Sequence, residues 1–235
     1  MPDDFSIAVT GSSGGVGRLL AEHYANLGRR VYGCSRSESS FQHENYCHTV
    51  ADISDEDDVG RFFREISRDG RGLGILINNA GLKIDNLAIL TPKGQAEDLL
   101  RTNLTGAFLV TREAAKRMKR QRFGRIINMS SVAVPLASAG TAFYGASKAA
   151  LEQFSRTLAR ELAGDDITVN TIGLSVFLDT GMTESISDGA QAELRKNLLK
   201  PGPLEIAEII HAVDFFASEN ARNITGQTVY FGGVK

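Results

Sequence analysis

Short apolar runs rich in β-formers alternate with longer helical patterns along this chain, and the first joint between them is Thr10-Gly11-Ser12-Ser13-Gly14-Gly15-Val16-Gly17. Parallel strands need a crossover between them, usually a helix, so this alternation points to βαβ units around a parallel sheet. Strands are expected near Phe5–Val9, Arg30–Cys34, His48–Val50, Gly74–Ile77, Arg125–Met129, Thr168–Ile172 and Thr228–Phe231. Helices are expected near Val16–Leu27, Glu56–Arg68, Gly94–Arg101, Thr105–Arg120, Phe143–Ala163 and Pro203–Ala217. No internal repeat, low-complexity tract or Pro/Gly-rich linker interrupts the 235 residues. The expectation is therefore a single α/β domain over 1–235, doubly wound around a mainly parallel seven-stranded sheet. Its least regular piece, Leu174–Lys200, is polar, and such a stretch inside a compact domain reads as a substrate lid.

The formal net charge of −2 gives no reason to expect nucleic acid or an anionic membrane as the main partner. No apolar run approaches the roughly 20 residues of a spanning helix. The acidic start at Asp3 and Asp4 passes directly into a short strand, unlike a signal peptide. Cys34 and Cys47 fit no metal spacing and are read as reduced thiols of a cytoplasmic protein. His23, His43, His48 and His211 show no ligand spacing, so no metal site is expected.

The glycine loop suits a nucleotide. Glycines let the backbone turn sharply beside a phosphate, whose charge is favoured at the N-terminus of the following helix. The spacing is Gly-x-x-x-Gly-x-Gly rather than Gly-x-Gly-x-x-Gly, and its place between strand and helix is what gives it weight. The second strand ends at Cys34-Ser35-Arg36-Ser37. A carboxylate there would take the ribose hydroxyls of NAD, whereas Arg36 suits the additional 2′-phosphate of NADP. Asp52, at the end of the third strand, is a candidate for the adenine amino group.

Ser131, Tyr144 and Lys148 carry the chemistry. Residues four apart on a helix share a face, so Tyr144 and Lys148 would point into one space. A nearby ammonium favours a phenolate, and a hydroxyl could hold a substrate oxygen while a proton passes. Tyr-x-x-x-Lys is also an ordinary surface pair, Ser130 competes with Ser131, and Asn103 could simply cap a helix.

Taken together, Thr10-Gly11-x3-Gly15-x-Gly17, Asp52-Ile53, Asn78-Asn79-Ala80-Gly81, Asn103, Ser131, Tyr144-x3-Lys148 and Val169-Asn170 resemble the short-chain dehydrogenase/reductase family over nearly the whole chain. Within it, Lys83–Leu87, Gly124–Asn128, Leu158–Leu162 and Ile224–Gln227 are similar to bacterial 3-oxoacyl-acyl-carrier-protein reductases. The resemblance implies a Rossmann-like fold and hydride transfer between NADP(H), less readily NAD(H), and a carbonyl or secondary alcohol, such as a 3-oxoacyl thioester; the alternatives are a dehydrogenase of another alcohol, sugar or polyketide-type ketone, or a nucleotide-binding relative without turnover. It implies Tyr144 as acid and base, Lys148 as its partner on the nicotinamide ribose, Ser131 as carbonyl holder and Asn103 as support for a proton-relaying water. Gly11, Ser13, Gly15, Val16, Gly17, Arg36, Asp52, Ile53, Asn79, Ala80, Gly81 and Thr180 would surround the cofactor, with Tyr144 and Lys148. A homotetramer or homodimer is implied as well, and an acyl carrier protein as a partner.

Two departures stand out. Leu174-Ser175 replaces the family's Pro-Gly, with one residue more before Asp179-Thr180. Arginines at the site entrance would meet an acidic carrier protein; Lys116, Arg117, Lys119, Arg120, Arg122 and Arg125 form a basic run, but the second expected arginine position is Asp165. Altered carrier docking is the expectation.

Overall fold

The structure, a computed structural model, describes residues 5–175 and 196–234. The expected lid lies mostly outside the described residues, and so does Thr180. Strands β1 (Phe5–Thr10), β2 (Val31–Ser35), β3 (Tyr46–Val50), β4 (Gly72–Asn78), β5 (Phe123–Ser131), β6 (Asp166–Leu174) and β7 (Thr228–Tyr230) form one sheet in the order β3-β2-β1-β4-β5-β6-β7. Every neighbouring pair is parallel. The expected "mainly parallel" sheet is thus parallel throughout.

Buried strand residues alternate between two faces, as the pleat requires. Ala8, Leu76 and Ile126 pack under α2 (Glu56–Arg68) and α4 (Ala107–Gln121), with Phe62, Phe63, Val110 and Met118. Ile7, Val9, Ile75, Ile77 and Ile127 pack on the other face under α1 (Gly15–Asn26) and α7 (Ile206–Ala217), with Leu20, Tyr24, Val213 and Phe216. Helix starts carry their own signals: the Asp55 carboxylate accepts the Asp58 N–H at α2, and Glu205 with Glu208 closes a capping box at α7. The long α6 (Ala142–Glu161) lies against β5 and β6, and the short α3 (Lys93–Leu100) and α5 (Ala133–Leu136) flank it.

Two helical expectations are corrected. Gly94–Arg101 and Thr105–Arg120 are not separate helices: α3 runs through a π-helical turn, Arg101–Gly106, into α4. Asn103 therefore sits inside helical backbone and caps nothing. The surplus residue of a π turn fits where Gly106 meets Ile53, since a Cβ at Gly106 would lie 2.8 Å from Ile53 Cγ1. Pro203–Glu205 precede α7 rather than belonging to it.

A buried polar chain crosses the sheet. The Asn78 amide donates to Thr111 Oγ1 on α4 at 2.7 Å and to Asn128 Oδ1 on β5 at 2.8 Å, and the Asn128 amide donates to Ser155 Oγ on α6 at 2.7 Å. Removing one member leaves buried partners unpaired, at about 1–3 kcal/mol each. Asn128→Ala is expected to lower unfolding free energy by about 2 kcal/mol or more in urea melts; no loss would mean that the chain is not holding β4, β5 and α6 together.

Candidate active site

The chain order reverses between β1 and β4, and the crevice beyond their C-terminal ends is where such a sheet receives a ligand. Thr10 ends β1, and its hydroxyl accepts the backbone N–H groups of Asn79 and Ala80, both at 3.0 Å. The Asn79 amide returns to the carbonyl oxygens of Thr10 and Gly11 at 3.0 and 3.3 Å. Asn79 thus closes the β4 turn by gripping the glycine loop. Gly11 has φ +69°, and a Cβ there would come within 2.8 Å of Ala80 Cα. A Cβ at Gly17 would lie 2.3 Å from both Asn79 Nδ2 and Gly11 O, so only glycine lets the loop fold so close to β4.

Beside Gly14, by contrast, nothing lies within 4 Å of a built Cβ. Gly14 precedes α1 with no side-chain cap, and the first turn of α1 has no acidic residue. A helix N-terminus left this open fits an anionic phosphate. Val16 contributes its side chain to the core rather than to the crevice, and Gly15 has φ +53°.

Arg36 is exposed on the loop after β2. That loop is braced from below: Tyr46 Oη lies 2.9 Å from Ser12 Oγ and 2.8 Å from His48 Nδ1, while His48 Nε2 is 3.0 Å from Ser37 O and 3.2 Å from Ser35 Oγ. Ser37 Oγ donates to Ser13 Oγ at 3.1 Å, joining this loop to the glycine loop. The bracing role of Tyr46 and His48 went unread in the sequence, although residues two apart on a strand share a face. The Asp52 carboxylate accepts the Ser54 N–H and hydroxyl. Burial works to raise that carboxyl, but the Ser54 hydrogen bonds and the Arg101 and Arg36 charges outweigh it and keep it below its usual range. The Ile53 side chain is buried beneath the π turn, so a ligand there would meet its backbone.

The second cluster sits on α6 and β5. Tyr144 is buried with Leu82, Leu99 and Ala133, and the Ser131 hydroxyl is the polar neighbour that favours its phenolate against burial. Ser131 Oγ also accepts the Ala133 N–H at 3.1 Å. Ser130 points elsewhere and donates to Glu152 Oε1 at 2.6 Å. Lys148, 5% exposed, donates to Met129 O at 2.9 Å. The Asn103 amide is fully engaged: Oδ1 accepts the Leu82 N–H at 2.7 Å, and Nδ2 donates to Leu82 O at 2.8 Å and Ser147 Oγ at 2.9 Å. Gly81 faces both groups, since a Cβ there would lie 3.2 Å from Lys148 Nζ and 3.3 Å from Asn103 Oδ1. Lys83 Nζ lies 6.0 Å from the centre of the Tyr144 ring and pairs with Asp85.

The electrostatics differ from the simplest expectation. Burial raises the Tyr144 phenol, the Ser131 hydrogen bond partly offsets this, and the Asp85 charge adds to the rise. Burial lowers Lys148 to about 8, with Glu152 acting in the opposite direction. Burial thus works against both charged forms, the Tyr144 phenolate and the Lys148 ammonium. In this arrangement Tyr144 is held in its acid form across neutral pH.

At Leu174-Ser175 the strand β6 ends, with Leu174 its last residue. Leu174 pairs with Ser131 across β5 and β6, and its carbonyl accepts the Val132 N–H at 3.0 Å. The basic run is also corrected. Arg125 is fully buried, bonded to Asp166 and to the carbonyls of Gly124 and Ser218. Arg122 pairs with Asp165, and Arg117 with Glu113. Among the described residues, no cluster suited to a metal ion occurs, and no helix is long and apolar enough to cross a membrane.

Comparison with known proteins agrees with this geometry. The short chain dehydrogenase family model matches residues 6–191. The 3-oxoacyl-acyl-carrier-protein reductase of Haemophilus influenzae is 34% identical over 231 residues, covering 96% of this chain and 95% of the relative. That of Escherichia coli K12 is 34% identical over 96% of this chain and 94% of its own length. That of Staphylococcus aureus is 35% identical over 97% and 96%. A crystal structure described as a putative gluconate dehydrogenase from Agrobacterium tumefaciens superposes with a TM-score of 0.88 at 28% identity, covering 97% of this chain and 94% of that one. This chain belongs to the short-chain dehydrogenase family of oxidoreductases.

Proposed function

We propose that the protein is an NADP(H)-dependent carbonyl reductase acting on a 3-oxoacyl thioester. The observation that carries the reading is the buried Tyr144, with the Ser131 hydroxyl as its polar neighbour and the buried Lys148 one turn further along α6, beside a glycine-lined crevice. Arg36, exposed beyond β2 with no carboxylate at Ser35, supports the 2′-phosphate and hence NADP(H) over NAD(H). The similarity to three 3-oxoacyl-acyl-carrier-protein reductases supports the substrate class.

The open N-terminus of α1, with Gly11, Ser13, Gly15 and Gly17, would hold the pyrophosphate. Asn79, Ala80 and Gly81 would line the dinucleotide, Arg36 and Asp52 would flank its adenosine end, and Thr180 would meet its carboxamide. The nicotinamide supplies the hydride or takes it back. Ser131 would hold the substrate oxygen against Tyr144, whose raised phenol keeps a proton ready to donate to it. Lys148 would bind the ribose hydroxyls and carry positive charge toward the oxygen as it becomes an alkoxide. Asn103, tied to Leu82 and Ser147, would fix the wall through which protons return.

The partner surface is read as a weakened carrier site, because Asp165 neutralises Arg122 and Arg125 is buried. Turnover of carrier-bound and short-analogue thioesters should therefore be comparable; a strong carrier preference would refute weakened docking. Assembly as a homotetramer or homodimer, and a cytoplasmic setting, complete the proposal. A second reading, oxidation of a sugar acid or other hydroxylated anion, draws on the gluconate dehydrogenase likeness and on the Lys83–Asp85 pair beside Tyr144. A substrate panel separates the two.

Mixing the protein with a short 3-oxoacyl thioester and either NADPH or NADH is the direct test: rapid oxidation of NADPH is expected, and a preference for NADH would overturn the role of Arg36. Tyr144→Phe is expected to lower kcat/KM by about 10²–10⁴-fold; full activity would remove Tyr144 from the chemistry. Arg36→Ala should weaken NADPH by about 10-fold or more while leaving NADH nearly unchanged. Because Lys148 in the free protein sits at about 8, kcat/KM for reduction should fall as pH rises through that value and level off below it.

A further inference from the structure

One buried carboxylate has no part in the proposed chemistry. Glu152 lies one turn beyond Lys148 on α6 and is only 4% exposed. Its two oxygens take two hydroxyls from two strands: Ser130 of β5 donates to Oε1 at 2.6 Å, and Tyr230 of β7 donates to Oε2 at 2.6 Å. The Tyr230 ring packs over Gly173, where a Cβ would lie 2.1 Å from Tyr230 Cδ1, so β6 makes room for the phenol to reach α6. An acid this deep is costly to keep charged unless hydrogen bonds and a neighbouring positive charge stabilise it. The hydroxyls provide the first. Lys148 stands four residues earlier on the same face of α6, its ammonium on Met129 O and not in a direct ion pair with Glu152.

We propose that Glu152 is a positioning residue for Lys148: its carboxylate, fixed between Ser130 and Tyr230, holds the buried lysine in its ammonium form where the reaction needs it. Several features support this. The Lys148 ammonium reaches Met129 O, the carbonyl immediately before Ser130, so β5 seats the lysine and the carboxylate at consecutive residues. Burial alone would drive Lys148 toward the neutral amine, and Glu152 is the charge that opposes it. Tyr230 is pushed up by burial and by its bond to Glu152, so it stays a hydrogen-bond donor to the carboxylate. The other groups facing this cluster are Tyr144 on α6, which is neutral, Asn103 from the π turn and Ser131 from β5, both uncharged, Arg156 on α6 beside Tyr230, and the mutually paired Lys83 and Asp85 beyond Tyr144. Among these groups Glu152 is the one whose charge acts on Lys148.

The part Glu152 plays in the reaction rests on the reductase reading, but its hold on Lys148 does not, and the test separates them. Full-length protein labelled with ¹³Cε-lysine is titrated by NMR without nucleotide, with the Lys148 signal assigned by its loss in Lys148→Arg. In Glu152→Gln the Lys148 midpoint should fall by about one pH unit, whereas Glu152→Asp, which keeps the charge, should stay near the wild type. The alkaline limb of kcat/KM should move down with it, with the larger loss in kcat/KM at pH above the new midpoint. A folded Glu152→Gln protein with an unmoved Lys148 midpoint would overturn the proposal. Should Glu152→Gln not fold, the wild type decides. Its Lys148 signal should take a second, acid step at the midpoint of ¹³Cδ-labelled Glu152, and lack of a shared step would overturn the proposal equally.

Discussion

The arrangement of the site depends on one hydroxyl. Thr10 Oγ1 accepts two successive backbone N–H groups, from Asn79 and Ala80, and so clamps the end of β1 to the turn after β4 at the point where the sheet's winding reverses. Strands that diverge into opposite crossovers would otherwise leave these N–H groups to water. With the clamp in place, the Asn79 amide can reach back to the glycine loop, and the loop can lie against β4 at a distance that excludes any Cβ at Gly17. The same turn leads to Gly81 and Leu82, which meet Asn103 and Lys148. The glycine-loop end and the Tyr144–Lys148 end of the crevice are therefore built on one short segment.

Around that segment the protein places buried polar groups in pairs. Asn78, Asn128 and Ser155 bridge the sheet; Asn103 joins a loop to α6; Glu152 joins α6 to two strands. Each such group is costly when unpaired and directional when paired. Between apolar layers that tolerate sliding, they fix α6 at one height over the sheet. Tyr144, Ser147, Lys148 and Glu152 inherit that height.

What was legible in the sequence was whatever follows from period and spacing. The strand–helix alternation gave the sheet, since Ile7, Val9, Ile75 and Ile77 each mark one face of a strand with no help from the rest of the chain. Glycine between strand and helix marked the loop, and Tyr144 with Lys148 marked α6. Long-range pairing was not legible. Arg125 looked like one more surface charge in a basic run, and only the arrival of Asp166 and Ser218 beside it explains a fully buried guanidinium. Glu152 gave no local signal, because Tyr230 stands 78 residues away. The π turn was hidden as well: a surplus residue leaves the helical propensity of Arg101–Gly106 unchanged and shows only in how Asn103 and Gly106 face their neighbours.

That π turn has a consequence for how such a site can change over generations. A helix carrying one surplus residue can lose it and heal into an ordinary α-helix with every backbone hydrogen bond restored. Each residue of an α-helix advances the phase by about 100°, so such a deletion would swing the preceding turns of α3 around while leaving α4 seated on the sheet. Asn103 would then leave Leu82 and Ser147. A single in-frame codon deletion would thus offer a short route to a chain whose Asn103 no longer meets Leu82 and Ser147.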